Sequence, residues 1–173
     1  MYDYLMTTSD QLNIFRTLSL NAMLFQFQYA PYPEGGGKIR NVNNFITESQ
    51  FETVDYHDIP NELLKLDEYL KKLLNEKDTI SDSQYIDEVV KIHHKITVIH
   101  PFTDGNGRVS RLMLNWLFKL KGLPPVYLKY KNKDKYYDAL KEADLNDDYS
   151  YLSEVFYREI ILSIIQLNTK FKL

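Results

Sequence analysis

A histidine, an aspartate, an asparagine between two glycines and two arginines fall within twelve residues, His100-Pro-Phe-Thr-Asp-Gly-Asn-Gly-Arg-Val-Ser-Arg111. Glycines flanking Asn106 at a helix start let successive backbone N–H groups converge, and the helix dipole adds positive potential at the same point, so Gly105, Asn106 and Gly107 read as an anion site. Arg108 and Arg111 then stand at i and i+3 in the first turn, the end of a helix where cations are disfavoured. A bound polyphosphate removes that conflict. Asp104, just ahead of the glycines, is a carboxylate suited to Mg²⁺, which keeps most of its waters and takes one or two protein oxygens. His100, with an ordinary pKa near 6.5, is able to accept a proton from an attacking hydroxyl at neutral pH. Pro101 restricts the loop backbone and Phe102 anchors it in the core. Taken singly, each of these residues has an ordinary structural use as cap, turn or ion pair; their concentration in one window is what points to chemistry.

Such a loop needs rigid elements on both sides. The six glycines lie in three places, Gly35 to Gly37, Gly105 with Gly107, and Gly122, and the six prolines stand beside them or between periodic segments. The segments so cut are mostly helical. A helix is predicted from about Ser9 to Tyr29, a second from Pro60 to Leu74 with leucines at 63, 66, 70 and 73, and a third from Ser81 with Tyr85, Val89, Ile92 and Ile96 on one face. A fourth carries Val109 to Leu120 and stops at Gly122, and two more cover 132 to 143 and 147 to about 168. Residues 38–56 are β-branched, aromatic and amide-rich, which predicts a short hairpin turning near Glu48. The expected class is all-α, a helical bundle with one small β-hairpin, as a single domain of 173 residues.

Composition narrows the function classes. Lys and Arg total 21 against 24 for Asp and Glu, a net charge of −3, without the basic excess of a nucleic-acid-coating protein. The chain has no cysteine, which removes disulfide scaffolds, thiol catalysis and Cys-ligated zinc and suits a reducing, cytoplasmic setting. No apolar run approaches the roughly twenty residues of a membrane span, and the N-terminus shows no export signal, so a soluble protein is expected. His93 and His94 are adjacent on a helix and diverge by about 100°, so they do not chelate one ion and are read as structural. His57 has no partner visible in the sequence.

The stretch from His100 to Arg111 resembles the signature of the Fic family, H-P-F-x-[D/E]-G-N-G-R-x-x-R, and matches it at every specified position. The likeness extends to Gly37-Lys-Ile-Arg40, to Gly122-Leu-Pro-Pro125 and to Tyr136-Tyr-Asp-Ala-Leu-Lys-Glu-Ala-Asp144, covering about residues 10 to 165. The resemblance implies a Fic-type bundle whose central helices are joined by the motif loop, and transfer of AMP from ATP to a Tyr, Thr or Ser hydroxyl of a target protein. It would make His100 the base, Asp104 the Mg²⁺ ligand, and Gly105, Asn106 and Gly107 the phosphate cradle, with Asn106 also orienting the α-phosphate. Arg108 would meet the β-phosphate and Arg111 the γ-phosphate. Ile46, Thr47, Glu48 and Ser49 would form a flap that pairs with the target by strand addition. Tyr136 and Asp144 would lie near the adenine, Asp144 standing where the family often has Asn; simple core packing is an equal reading of Tyr136.

Many family members carry an inhibitory helix, [S/T]-x-x-x-E-[G/N]. Its nearest counterpart, Ser150 to Glu154, is followed by Val155 and fits the core stripe of the last helix, so it is read as structural. Restraint by an antitoxin-like protein, by residues beyond this sequence or by homo-oligomerisation stays open, as does none. Two other readings keep the fold: a transferase using another nucleotide, phosphocholine or a phosphoryl group, and a toxin-like module held by a partner.

Overall fold

A computed structural model describes residues 12–26, 36–45, 53–129 and 132–171. Six helices account for most of them: α1 (Arg16–Phe25), α2 (Ile59–Glu76), α3 (Asp82–Ile99), α4 (Asn106–Leu120), α5 (Lys133–Asn146) and α6 (Ser150–Phe171). The described residues hold no β-strand. The fold class is therefore all-helical among them, while the predicted turn of the hairpin near Glu48-Ser49-Gln50 lies outside the described residues.

The two central helices are where apolar periodicity on two faces places them. Tyr85, Val89, Ile92 and Ile96 of α3 and Val109, Met113, Trp116 and Leu117 of α4 are almost wholly buried, and α3 packs more extensively against α4 than any other pair. Around this axis α2 lies on α3, α1 on α4, and α5 on α6, with α6 returning to α3. Each full burial of a Leu, Ile or Phe contributes about 1.5–3 kcal/mol.

Helix ends follow their local chemistry. Ser81 starts α3 through a reciprocal capping box with Gln84. Pro60 stands in the first turn of α2, where its missing N–H costs nothing. Gly122, at φ 76°, closes α4 as Leu123 N–H returns to the Phe118 carbonyl at 2.9 Å. The first helix is shorter than expected, beginning at Arg16 after a turn at Ile14, and Phe15 at its start gives it no side-chain cap. The expected Ser9 and Asp10 cap falls outside the described residues.

Buried polar groups tie these elements together. The Asp67 carboxylate of α2 accepts the Ile14 N–H at 2.8 Å and pairs with Lys71 at 2.7 Å. Asn21 of α1 accepts the Gly37 N–H at 2.8 Å and donates to the Asp104 carbonyl at 2.9 Å, docking α1 on the motif loop. His93, fully enclosed between α3, α5 and α6, meets the Tyr136 hydroxyl at 2.8 Å and the edge of Phe156.

Enclosure drives the His93 pKa down from 6.5 to about 3, because burial penalises the imidazolium. The unfolded chain takes up that proton first, so stability held above pH 6.5 is lost as pH falls towards about 3. The difference in thermal midpoint between pH 7 and pH 4 will accordingly be smaller in His93→Gln than in wild type. Gly105 gives a second test: at φ 84° a Cβ would meet both Asn21 Nδ2 and Phe25 Cε2 at 3.0 Å, whereas at Gly122 it would meet nothing within 4 Å. Denaturant titration should show Gly105→Ala costing about 2–3 kcal/mol and Gly122→Ala about 1.

Candidate active site

The motif loop is bounded by two left-handed residues. His100 caps the end of α3 at φ 50°, ψ 55°, and Gly105 caps the start of α4 at φ 84°, ψ 4°. For a side chain as large as histidine that conformation costs about 1–2 kcal/mol and persists only where the surroundings impose it. Here they do: His100 N–H reaches the Ile96 carbonyl at 3.1 Å, its carbonyl accepts Arg40 Nε at 2.7 Å, and Pro101 O accepts the Arg40 main-chain N–H at 2.9 Å.

The same geometry fixes the imidazole. Nδ1 lies 3.2 Å from the Thr97 carbonyl, which only accepts, so Nδ1 carries the hydrogen and Nε2 is left with its lone pair. Burial lowers the His100 pKa below 6.5; the Thr97 contact and Asp104 act the other way, and the Arg40 cation reinforces the fall. The ring is thus held neutral, in a single tautomer, at physiological pH.

Beyond the loop, α4 begins with unsatisfied N–H groups, since the first intrahelical bond runs from Val109 N to the Gly105 carbonyl at 2.9 Å. The Asn106 side chain braces the loop. That side chain is buried, with Oδ1 accepting the Phe102 N–H at 2.9 Å and Nδ2 donating to the Phe102 carbonyl at 2.7 Å, so its amide holds the loop closed. Asp104 accepts from Arg108 at 3.0 Å and from the Gly105 N–H, and the Arg108 guanidinium lies 5.1 Å from the centre of the Phe25 ring. A Cβ on Gly107 would press on Arg111 Nη1 at 3.3 Å.

A cavity of about 1300 Å³ opens beside this loop, and its walls include His100, Gly107, Arg111, Tyr136 and Asp144. Five sequence-derived site residues are thereby brought together; Asp104, Gly105, Asn106 and Arg108 do not line it. Tyr136 is almost fully buried with its hydroxyl on His93, and Asp144 Oδ1 meets His94 Nε2 at 2.7 Å, while Tyr149 stands 3.3 Å from the other nitrogen of His94. Read from sequence as merely structural, the adjacent histidines hold the two side chains expected near the nucleobase. The only signal for this was their position on the doubly apolar face of α3; their partners lie 43 and 50 residues away.

Ile46, Thr47, Glu48 and Ser49 lie outside the described residues. On either side of them, Asn43 Oδ1 accepts the Tyr56 N–H at 2.9 Å and Thr53 Oγ1 donates to the Asn44 carbonyl at 2.7 Å. Ser150 opens α6, and Glu154 is exposed and paired with Arg158 at 3.2 Å, away from the cavity.

Residues 11–118 match the family model of the Fic/DOC family. Protein adenylyltransferase fic-1 of Caenorhabditis elegans is 32% identical over 115 residues, covering 66% of this chain and 21% of that protein. Protein adenylyltransferase Fic of Aedes aegypti is 49% identical over 55 residues, 32% of this chain and 11% of its own length. Fic-1 from C. elegans superposes with a TM-score of 0.75 at 25% identity, covering 95% of this chain and 46% of that one. A Fic domain containing signaling protein from Bacteroides thetaiotaomicron shares the fold, with a TM-score of 0.76 at 20% identity over 91% of this chain and 62% of that one. The chain spans about a fifth of the length of the first of these curated relatives. With the matched region covering well over half the sequence and the whole loop from His100 to Arg111, the chain belongs to the Fic/DOC family.

Proposed function

We propose that this chain transfers AMP from ATP to a hydroxyl of a target protein, releasing pyrophosphate. The observation that carries the reading is the imidazole of His100, held by Thr97 with Nε2 as its lone-pair nitrogen, in the wall of the cavity shared with Gly107 and Arg111. Relatives named protein adenylyltransferases support it.

In this reading Nε2 of His100 takes the proton of the attacking hydroxyl. A bond forms from that oxygen to the α-phosphorus, the bond from phosphorus to the bridging oxygen breaks, and pyrophosphate leaves with the electron pair. The N–H groups at the start of α4 and the guanidinium of Arg111 hold the phosphate oxygens, and Arg108 reaches them by releasing Asp104. Asp104 suits Mg²⁺: its carboxylate is about half exposed and, among the described residues, bonded to an adjacent N–H and to Arg108. Bound there, Mg²⁺ would neutralise charge on the phosphates. Tyr136 and Asp144, held by His93 and His94, form the wall assigned to the adenine. Target engagement by the segment around Ile46, Thr47, Glu48 and Ser49 rests on the sequence alone.

Three outcomes test this. ATP labelled at the α-phosphate should leave label on protein and ATP labelled at the γ-phosphate should not; transfer from the γ-position would make the protein a phosphotransferase. His100→Ala should lower the transfer rate about 10²–10⁴-fold with ATP binding retained. The rate should rise with pH on a single limb whose midpoint lies below 6.5, because only the neutral imidazole accepts the proton and burial holds its pKa down.

A further inference from the structure

We infer that Arg40 is a positioning residue that aims the imidazole of His100 and ties it to the chain on either side of residues 46–52; the inference deepens the adenylyl-transfer reading and rests on it. Arg40 is almost completely buried, 4% exposed, and among the described residues the Asp55 carboxylate acts on its charge electrostatically. Every arm of its guanidinium is spent on oxygen atoms. Nε donates to the His100 carbonyl at 2.7 Å, Nη1 to the Val42 carbonyl at 2.7 Å and to Asn43 Oδ1 at 3.4 Å, and Nη2 to Thr53 Oγ1 at 3.3 Å, to the Ile99 carbonyl at 3.5 Å and to the Val54 carbonyl. Its own main-chain N–H adds the bond to Pro101 O.

Burying a cation is expensive, with desolvation opposing the charge and the Asp55 carboxylate favouring it, and a neutral amide side chain would serve a purely structural turn at less cost. What the planar fork supplies is simultaneous direction: it reaches the segment entering at 42–43, the segment leaving at 53–54 and the carbonyls of Ile99 and His100 at the end of α3. The His100 carbonyl belongs to the left-handed peptide that sets where the ring projects. Without Arg40 that carbonyl loses its donor, the peptide relaxes, and the Nδ1 contact with Thr97 that selects the tautomer is lost. Asn44, whose amide lies 3.4 Å from the Phe102 carbonyl, braces the same segment against the loop from the other side. Arg40 itself does not line the cavity, so it acts through His100 and not on the nucleotide.

Arg40→Lys keeps the charge and most of the volume and removes the fork. The test pairs steady-state transfer kinetics with nitrogen-15 spectra of the imidazoles, the His100 signals being assigned from His100→Ala. For a folded Arg40→Lys protein we expect kcat to fall about 100-fold while KM for ATP changes little, and the His100 spectrum to pass from one tautomer to a mixture. Wild-type kcat together with an unchanged tautomer would overturn the inference. Arg40→Gln is read in the same way, and if neither variant folds the arginine is purely structural and the inference fails. Absence of transfer in the wild-type protein would remove the proposed reaction, while the tautomer comparison would still decide the role of Arg40.

Discussion

The site depends on one backbone constraint: α3 has to stop at Ile99 and α4 has to start at Asn106, with both helix ends facing the same cavity. Two left-handed residues do this, and only one of them is glycine. His100 is held against its own preference by the carbonyl of Ile96 behind it and by Arg40 across it. Gly105 has no room for a side chain because Asn21 and Phe25 close over it. The remainder of the loop is self-bracing, Asn106 bonding both polar groups of the Phe102 backbone. The energy of this arrangement lies in packing and hydrogen bonds within the protein, which keep the His100 imidazole and the start of α4 at fixed separation.

A second layer supports the opposite wall. Neutral, buried His93 and its neighbour His94 reach from α3 to Tyr136 and Asp144 on α5, so the helix that carries the loop also orients the far side of the cavity. Tyr149, ahead of α6, completes the contact on His94. The cavity is therefore framed by elements that share one hydrophobic core, and movement of α3 would be felt at both ends of the site.

Much of this was legible in the residues themselves. Apolar spacing located the six helices to within a few positions over most of their lengths, Gly122 and Pro60 marked ends through known backbone chemistry, and the loop stood out because its residue types are costly together. What escaped the reading was long-range. No local rule links Arg40 to His100 across sixty residues, or His94 to Asp144 across fifty. Around residues 43 and 53 the bonds from Asn43, Thr53 and Arg40 side chains to the main chain were not legible either, because strand propensity does not weigh such contacts. Equally hidden were the bonds of the buried Asn106 amide to the Phe102 backbone, which brace the loop.

The ion pair between Asp104 and Arg108 has one more implication. Without a nucleotide these two groups cancel each other locally, so the mouth of α4 presents a weaker attractive field than its arginines alone would generate. In the proposed reaction a magnesium-bearing polyphosphate would exchange partners instead of adding them, freeing Asp104 for the metal and Arg108 for phosphate. Capture of a nucleotide in that reading would be less sensitive to ionic strength than a tally of basic groups implies, and an anion without a metal would meet an Arg108 already paired.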